Sequence, residues 1–299
     1  MQSQSFELAQ DFIWRNARLI DRYLFTHLFC QGPKAAVITA LRAYQNPDSG
    51  FGNALEPDKR TPASQPLDAE SALRYLAAID ALSDPQVQHD LLLPLCDWLQ
   101  TITTPAGGVP FSLPSANPYA HTPWMGTLDD QPLAALNPTA SLAGFLLKSG
   151  VQHPWLERAV AYCWQQIETS DVNEYHAMVT ELVFLQNAPD SSRAAGRLER
   201  LVERARQSDL VELDPNAGGY VQMPLDWAER PDSPFRKLFD EAALRTHLTL
   251  LAKRQRPDGG WPITWDTVSP AAEMEWRAKK TIDALSTLQA YAAAGLDID

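Results

Sequence analysis

Gln255-Arg256-Pro257-Asp258-Gly259-Gly260-Trp261 has a counterpart far away in the chain, Gln45-Asn46-Pro47-Asp48-Ser49-Gly50-Phe51. In each, a glutamine closes an amphipathic stretch and proline with aspartate breaks the helix. Glycine then supplies positive φ, and an aromatic residue six places after the glutamine is set to wedge between neighbouring helices. Weaker copies stand at Gly107-Gly108-Val109 and Gly218-Gly219-Tyr220. A helix-like segment that runs four times into such a turn predicts a ring or solenoid of helical hairpins.

The segments between the turns carry helical periodicity. Phe12, Ile13, Leu19, Ile20, Tyr23, Leu24 and Leu28 predict one helix over 6–29, and Val37, Ile38, Leu41 and Tyr44 predict a second that ends at the first turn. Further helices are expected over 67–82, 85–103, 137–150, 154–169, 171–187, 191–207, 234–255 and 274–295. Prolines at 138 and 154 sit where a first-turn proline belongs. Strand signals are nearly absent. Two stretches lack a period, the proline-rich 104–136 and 209–233, and irregular segments of that length in a compact domain usually serve function. Helices after the turns are richer in alanine and apolar all round, whereas those before them are amphipathic. This predicts an all-α chain: a single α/α toroid domain over 1–299, with five to six hairpins in an inner and an outer ring.

Composition narrows the partners. A chain of 299 residues with 45% hydrophobic content can bury a large core, and a net charge of -12 argues against nucleic acid, whose readers need a clustered basic face. Arg193, Arg197, Arg200, Arg204 and Arg206 alternate with Glu199 and Glu203 beside an apolar stripe, so they read as the solvated face of an outer helix. Cys30, Cys96 and Cys163 have no CxxC spacing and read as buried thiols of a reducing compartment. The stretch Met1-Gln2-Ser3-Gln4-Ser5-Phe6-Glu7 has neither a basic head nor an apolar leader, and no apolar run approaches the roughly 18 residues of a membrane span. The expectation is a cytoplasmic protein without an integral membrane segment.

The turns at 45–51 and 255–261, each leading through a proline-containing loop into a small-residue helix, resemble the repeat of squalene and oxidosqualene cyclases and of protein prenyltransferase β-subunits. The resemblance covers most of the chain and implies a barrel of two concentric helical rings around a cavity that holds an isoprenoid or other apolar substrate. It also implies chemistry where residues match. Class II cyclases protonate an alkene or epoxide with the middle acid of an Asp-x-Asp-Asp motif that opens an inner helix. Asp68-Ala69-Glu70-Ser71-Ala72 stands at such a place and offers Asp-x-Glu, which makes Glu70 the expected donor and Asp68 its partner. Thr127-Leu128-Asp129-Asp130 keeps the last two acids but lies in a loop, so Asp129 and Asp130 are the second choice. The Asp-x-Cys of the zinc-dependent prenyltransferases is absent, Cys96-Asp97 having reversed order. So is the Asp-Asp-x-x-Asp of the magnesium-dependent synthases, and no metal or other cofactor is expected.

Each remaining candidate has two readings. Glu56 and Asp58 sit in a proline-flanked loop and are expected to pair with Lys59 or Arg60 rather than to act chemically. His121 and Trp124 share the long irregular stretch with Asp129 and Asp130, where they form either a lid over a pocket or a surface loop. Tyr175 and His176, after Glu174, either face the cavity or sit as satisfied polar groups between helices. Asp226-Trp227 and Glu275-Trp276-Arg277 place an acid beside a tryptophan near a helix entrance. Trp124, Trp227, Trp265 and Trp276 would line a carbocation cavity or simply pack, whereas Phe51 and Trp261 are explained as wedges. Two other function classes fit the architecture: a non-catalytic toroid that binds an apolar ligand or a partner protein, and a carbohydrate-active enzyme, which would need paired carboxylates across an open cleft.

Overall fold

The computed structural model describes residues 3–169 and 172–296. In chain order its helices are α1 (Ser3–Asn16), α2 (Leu19–Cys30), α3 (Lys34–Arg42), α4 (Pro66–Ala78), α5 (Pro85–Val87), α6 (Leu93–Thr101), α7 (Leu136–Ser149), α8 (Pro154–Thr169), α9 (Tyr175–Leu185), α10 (Ser191–Gln207), α11 (Pro224–Trp227), α12 (Glu241–Lys253) and α13 (Pro270–Ala293). Among the described residues the only β pairing is four isolated bridges, Gln45 with Phe51, Lys59 with His121, Pro110 with Ala134 and Val211 with Gln222. No helix there is long and apolar enough to cross a membrane. The expected start of a helix at Asp171, and Met1-Gln2, lie outside the described residues; α9 is described from Tyr175.

The repeated turn is one hydrogen-bonded device. In the copy at 255–261, Arg256 N–H donates to Gly260 O at 3.0 Å and Gly259 N–H to Arg256 O at 2.8 Å, while Gly260 N–H reaches Asp258 Oδ1 and Gln255 Nε2 reaches Gly259 O. At 45–51, Asn46, Ser49, Gly50, Asp48 and Gln45 make the corresponding bonds. Positive φ falls on Gly259 in one copy and on Ser49, not Gly50, in the other. Thr104 with Gly108 and Gly107 with Thr104 repeat the two backbone bonds. The wedges also correspond: Val109 N–H donates to Thr139 Oγ1, and Trp261 N–H to Thr281 Oγ1, both at 3.0 Å. The stretch at 218–220 departs from the pattern. It has no aspartate to take the glycine N–H, and Tyr220 is 54% exposed rather than wedged.

An added Cβ at Gly259, where φ is +92°, would lie 2.0 Å from Leu8 O. Gly150, which ends α7 at φ +81°, has nothing within 4 Å of the same position. Gly259→Ala is therefore expected to cost about 2–4 kcal/mol in urea unfolding, and Gly150→Ala only about 1–2 kcal/mol. Equal losses would remove the turn from its structural role.

The chain divides into two compact units, Pro33–Glu199 and Met1–Gly32 with Arg200–Asp299. In the first, α7 packs on α4, α8 and α9, α3 packs on α4, and α6 packs on α8. Gly144 lets α7 approach α9 so closely that a Cβ would meet Val183 O at 2.6 Å. Helices α4, α7 and α9 are buried around most of their circumference, whereas α8 buries one stripe from Trp155 to Ile167. The second unit is built on α13, which packs on α1, α2 and α12. There Arg277 donates to Asp258 at 2.7 Å and lies over the Phe12 ring, so the turn and its following helix are joined by charge.

Several boundaries differ from the periodicity. The helix expected over 6–29 breaks at Arg18, whose extended backbone lets Nε donate to the buried Asp21 at 2.8 Å. Over 234–255 a 3-10 turn, Pro234–Leu238, comes first, and Asp240 then caps α12 through Ala243 N–H. Helix α13 starts at Pro270, before the expected 274, because Ser269 caps it. Cys96 and Cys163 are buried, and burial raises the Cys96 pKa to about 12; Cys30 is exposed, unlike its expectation.

Candidate functional site

Helix α4 begins with Pro66 in its first turn, and its opening residues are buried from Pro66 to Leu73. The loop before it, residues 52–65, folds back over that opening. Asn53 and Ala54 both have positive φ, and Gly52 approaches the Pro62 and Ala63 carbonyls so closely that a Cβ would lie 2.5 Å from Ala63 O. This reversal buries Glu56, Asp58 and Lys59 against α4. The segment 120–124 covers the loop: Arg60 N–H donates to Ala120 O, Thr122 N–H to Asp58 O, and Trp124 Nε1 to Asp58 Oδ2 at 3.0 Å. Trp124 is 48% exposed, so Trp124→Phe is expected to cost only about 1 kcal/mol of stability in urea unfolding.

Asp68 lies at the centre of this arrangement. Its Oδ1 accepts the Glu56 N–H at 2.9 Å, and its Oδ2 lies 2.9 Å from Lys59 Nζ. Both side chains of the ion pair are out of solvent, Asp68 at 0% and Lys59 at 1% exposure. The contact is close without being aligned as a hydrogen bond, and neither Lys59 Nζ nor Asp68 Oδ2 has another hydrogen-bonding partner. Burial raises the Asp68 pKa, with the Glu56 charge adding to it; the Lys59 charge and the Glu56 N–H pull the other way without cancelling it.

Glu70 is engaged differently. Its Oε1 accepts from Arg74 Nε at 3.1 Å, from Arg74 Nη2 at 2.7 Å and from Ser141 Oγ of α7 at 2.7 Å. The two acids therefore diverge as their spacing requires, but neither caps the first turn of α4. Glu56 was expected to pair with Lys59 or Arg60. Instead Lys59 pairs with Asp68, and Glu56 Oε2 accepts only the Ser71 hydroxyl at 3.3 Å while Oε1 is buried with no hydrogen bond.

The other candidates are distributed as follows. His121 bridges to Lys59, and its Nδ1 meets the Thr122 carbonyl at 2.9 Å. Asp129 and Asp130 are exposed, and Asp129 Oδ1 accepts the Gln131 N–H. Tyr175 and His176 stack edge to face at the start of α9, which Glu174 caps through the His176 and Ala177 N–H groups. In the other unit, Asp226 Oδ2 accepts the Met223 N–H and Trp227 is buried against Phe235. Trp265 packs against both Trp276 and Tyr220. Lys279 lies over the Trp276 ring at 4.9 Å and Lys280 over that of Trp265 at 6.0 Å, so each face already holds a cation. Burial opposes the Lys280 charge, but Asp283, Asp226 and Glu229 outweigh it and raise its pKa. Among the described residues no group of histidine, cysteine and carboxylate side chains could hold a metal ion.

Sequence reasoning did not connect Lys59 to Asp68, Arg74 or Ser141 to Glu70, or Ser71 to Glu56. Arg74 carried a signal in its four-residue offset from Glu70, whereas Lys59 and Ser141 reach α4 only through the loop reversal and the α4–α7 packing.

No protein-family model and no curated protein matches the chain. Among solved structures it is similar to an Asp-to-Ala variant of the type II terpene cyclase MstE from Scytonema in complex with merosterolic acid A, its product. The TM-score is 0.52 at 14% identity, with 97% of each chain covered. At that identity the likeness carries the fold alone, and the fold is the all-α, α/α toroid of a type II terpene cyclase.

Proposed function

We propose that this chain is a class II terpene cyclase-like enzyme, working as one domain, that begins the cyclisation or isomerisation of a linear isoprenoid by protonating an alkene or epoxide. The observation that carries the reading is the buried Asp68, a carboxyl with raised pKa, no exposed surface and an ammonium 2.9 Å away. Burial and the Glu56 charge keep the proton on Asp68, while Lys59 favours the carboxylate left when the proton goes. The proton would pass to one alkene carbon or to the epoxide oxygen. Ring closure and loss of a proton from the cation then complete the reaction, and Asp68 takes a proton back from solvent. The geometry favours Asp68 over Glu70 as donor, because Glu70 Oε1 already accepts from a guanidinium and a hydroxyl. Glu70 then holds α4 against α7 through Ser141.

A second reading, a non-catalytic toroid that binds an apolar ligand, is favoured by the cation that accompanies each α4 acid, Lys59 for Asp68 and Arg74 for Glu70. Incubation with squalene, squalene epoxide and geranylgeraniol, followed by mass spectrometry of the extract, separates the two. The enzymatic reading expects a cyclised or rearranged product from at least one of them. Retention of an unchanged lipid in native mass spectra, with no product from any of the three, would favour binding alone.

A further inference from the structure

Among the described residues, four buried polar atoms without a hydrogen-bond partner belong to the loop over α4, to α4 itself and to the segment that covers the loop: Glu56 Oε1, Lys59 Nζ, Asp68 Oδ2 and Thr122 Oγ1. Orphaned buried polar atoms are expensive, so their concentration around one ion pair calls for an explanation. Lys59 Nζ is close to Asp68 but not aligned with it, and Glu56 Oε1 has no donor. Glu56 and Lys59 are three residues apart in one turn, with Lys59 N–H directed to Glu56 O at 3.5 Å. Both also reach Asp68, Glu56 through its backbone N–H and Lys59 through its ammonium. The ammonium serves Asp68, while the Glu56 carboxylate is held beside α4 by the Ser71 hydroxyl and forms no ion pair among the described residues.

We propose that Glu56 is a positioning residue of the acid centre: its carboxylate, buried beside Asp68 with the Ser71 hydroxyl as its hydrogen-bond donor and no ion pair of its own, opposes a second negative charge on Asp68 and so holds the donor protonated. The inference rests on the reading of Asp68 as the proton donor and adds a residue outside the Asp-x-Glu stretch. The charged and titratable groups around Asp68 can be named element by element. The folded-back loop contributes Glu56, Lys59, Asp58 and Arg60, of which Asp58 accepts from Trp124. Helix α4 contributes Glu70, engaged with Arg74, and the covering segment contributes His121, engaged with the Thr122 carbonyl. Glu56 and Lys59 are the two whose charges act on Asp68, and they act in opposite directions.

The test needs no substrate. The infrared C=O band of a protonated buried carboxyl is followed against pH in the full chain and assigned to Asp68 by its loss in Asp68→Asn. Glu56→Gln keeps the shape and an acceptor for Ser71 but removes the charge, and it is expected to lower the midpoint of the band by about one pH unit, a tenfold loss of proton affinity. Glu56→Asp, which keeps the charge, is expected to return the midpoint toward wild type, which a purely structural role would not do. Glu56→Met, also uncharged, gives the same downward shift and serves if the amide variant does not fold. An unchanged midpoint in the uncharged variants, or a band that survives Asp68→Asn, overturns the proposal. The midpoint responds to Glu56 whether or not any isoprenoid is turned over, so a failed turnover assay and a failed Glu56 assignment are separate results.

Discussion

Asp68→Asn is expected to lower turnover of an isoprenoid that the wild-type chain converts by about 10²–10⁴-fold, the span over which a positioned general acid acts. The change keeps the size of a side chain that is fully out of solvent and whose Oδ1 accepts the Glu56 N–H, so KM should stay near wild type while kcat falls. Glu70→Gln removes a charge held by Arg74 and Ser141 and should cost less than Asp68→Asn. Asp129→Asn and Asp130→Asn alter exposed carboxylates and should leave turnover at the wild-type level. Full activity in Asp68→Asn, measured by product mass spectrometry under saturating substrate, would remove Asp68 from the role of donor.

The second large effect is on stability. Lys59→Met leaves the Asp68 carboxylate buried without its cation and is expected to cost about 3–5 kcal/mol in urea unfolding at pH above the Asp68 titration. The sign of the pH dependence follows from the raised pKa. Because the folded state holds the Asp68 proton more tightly than the unfolded chain, stability is highest below the unfolded value of about 3.9 and falls as pH rises through the folded pKa. Lys59→Met removes a charge that lowers the Asp68 pKa, so the fall continues to higher pH and its total is larger. Asp68→Asn removes the contribution of this group to the slope, and Lys59→Met combined with Asp68→Asn leaves neither charge buried alone. The double variant should therefore be more stable than the sum of the two single losses allows. Strict additivity would mean that the two side chains do not act as a pair.

The toroid was legible because its turn is written in local chemistry. Gln45, Asp48 and Gly50 make the same bonds as Gln255, Asp258 and Gly260, and each bond lies within a few residues of its partner. Gly218-Gly219 imitated the turn in composition but lacked the aspartate and the buried wedge. The break between α1 and α2 was not legible, since the apolar spacing runs on from Ile13 to Leu24 and the interruption depends on the ion pair of Arg18 with a buried Asp21. At the candidate site, the resemblance to the Asp-x-Asp-Asp motif of class II cyclases singled out Asp68 and Glu70, at the start of a helix after a turn. Their partners were hidden because Lys59 meets Asp68 only once Asn53 and Ala54 turn the loop back, and Ser141 meets Glu70 only once α7 packs on α4. Glu56 was read as a salt-bridging loop residue; tertiary structure gave its expected cation to Asp68 instead.

The proton itself can be followed. With the full chain in deuterated water and squalene or geranylgeraniol as substrate, an acid-initiated reaction on an alkene carbon installs solvent deuterium on carbon at the site of protonation. A cyclised product carrying that label from the wild-type chain, and none from Asp68→Asn, is the predicted result. Unlabelled product, or equal labelled product from both proteins, would contradict protonation by Asp68.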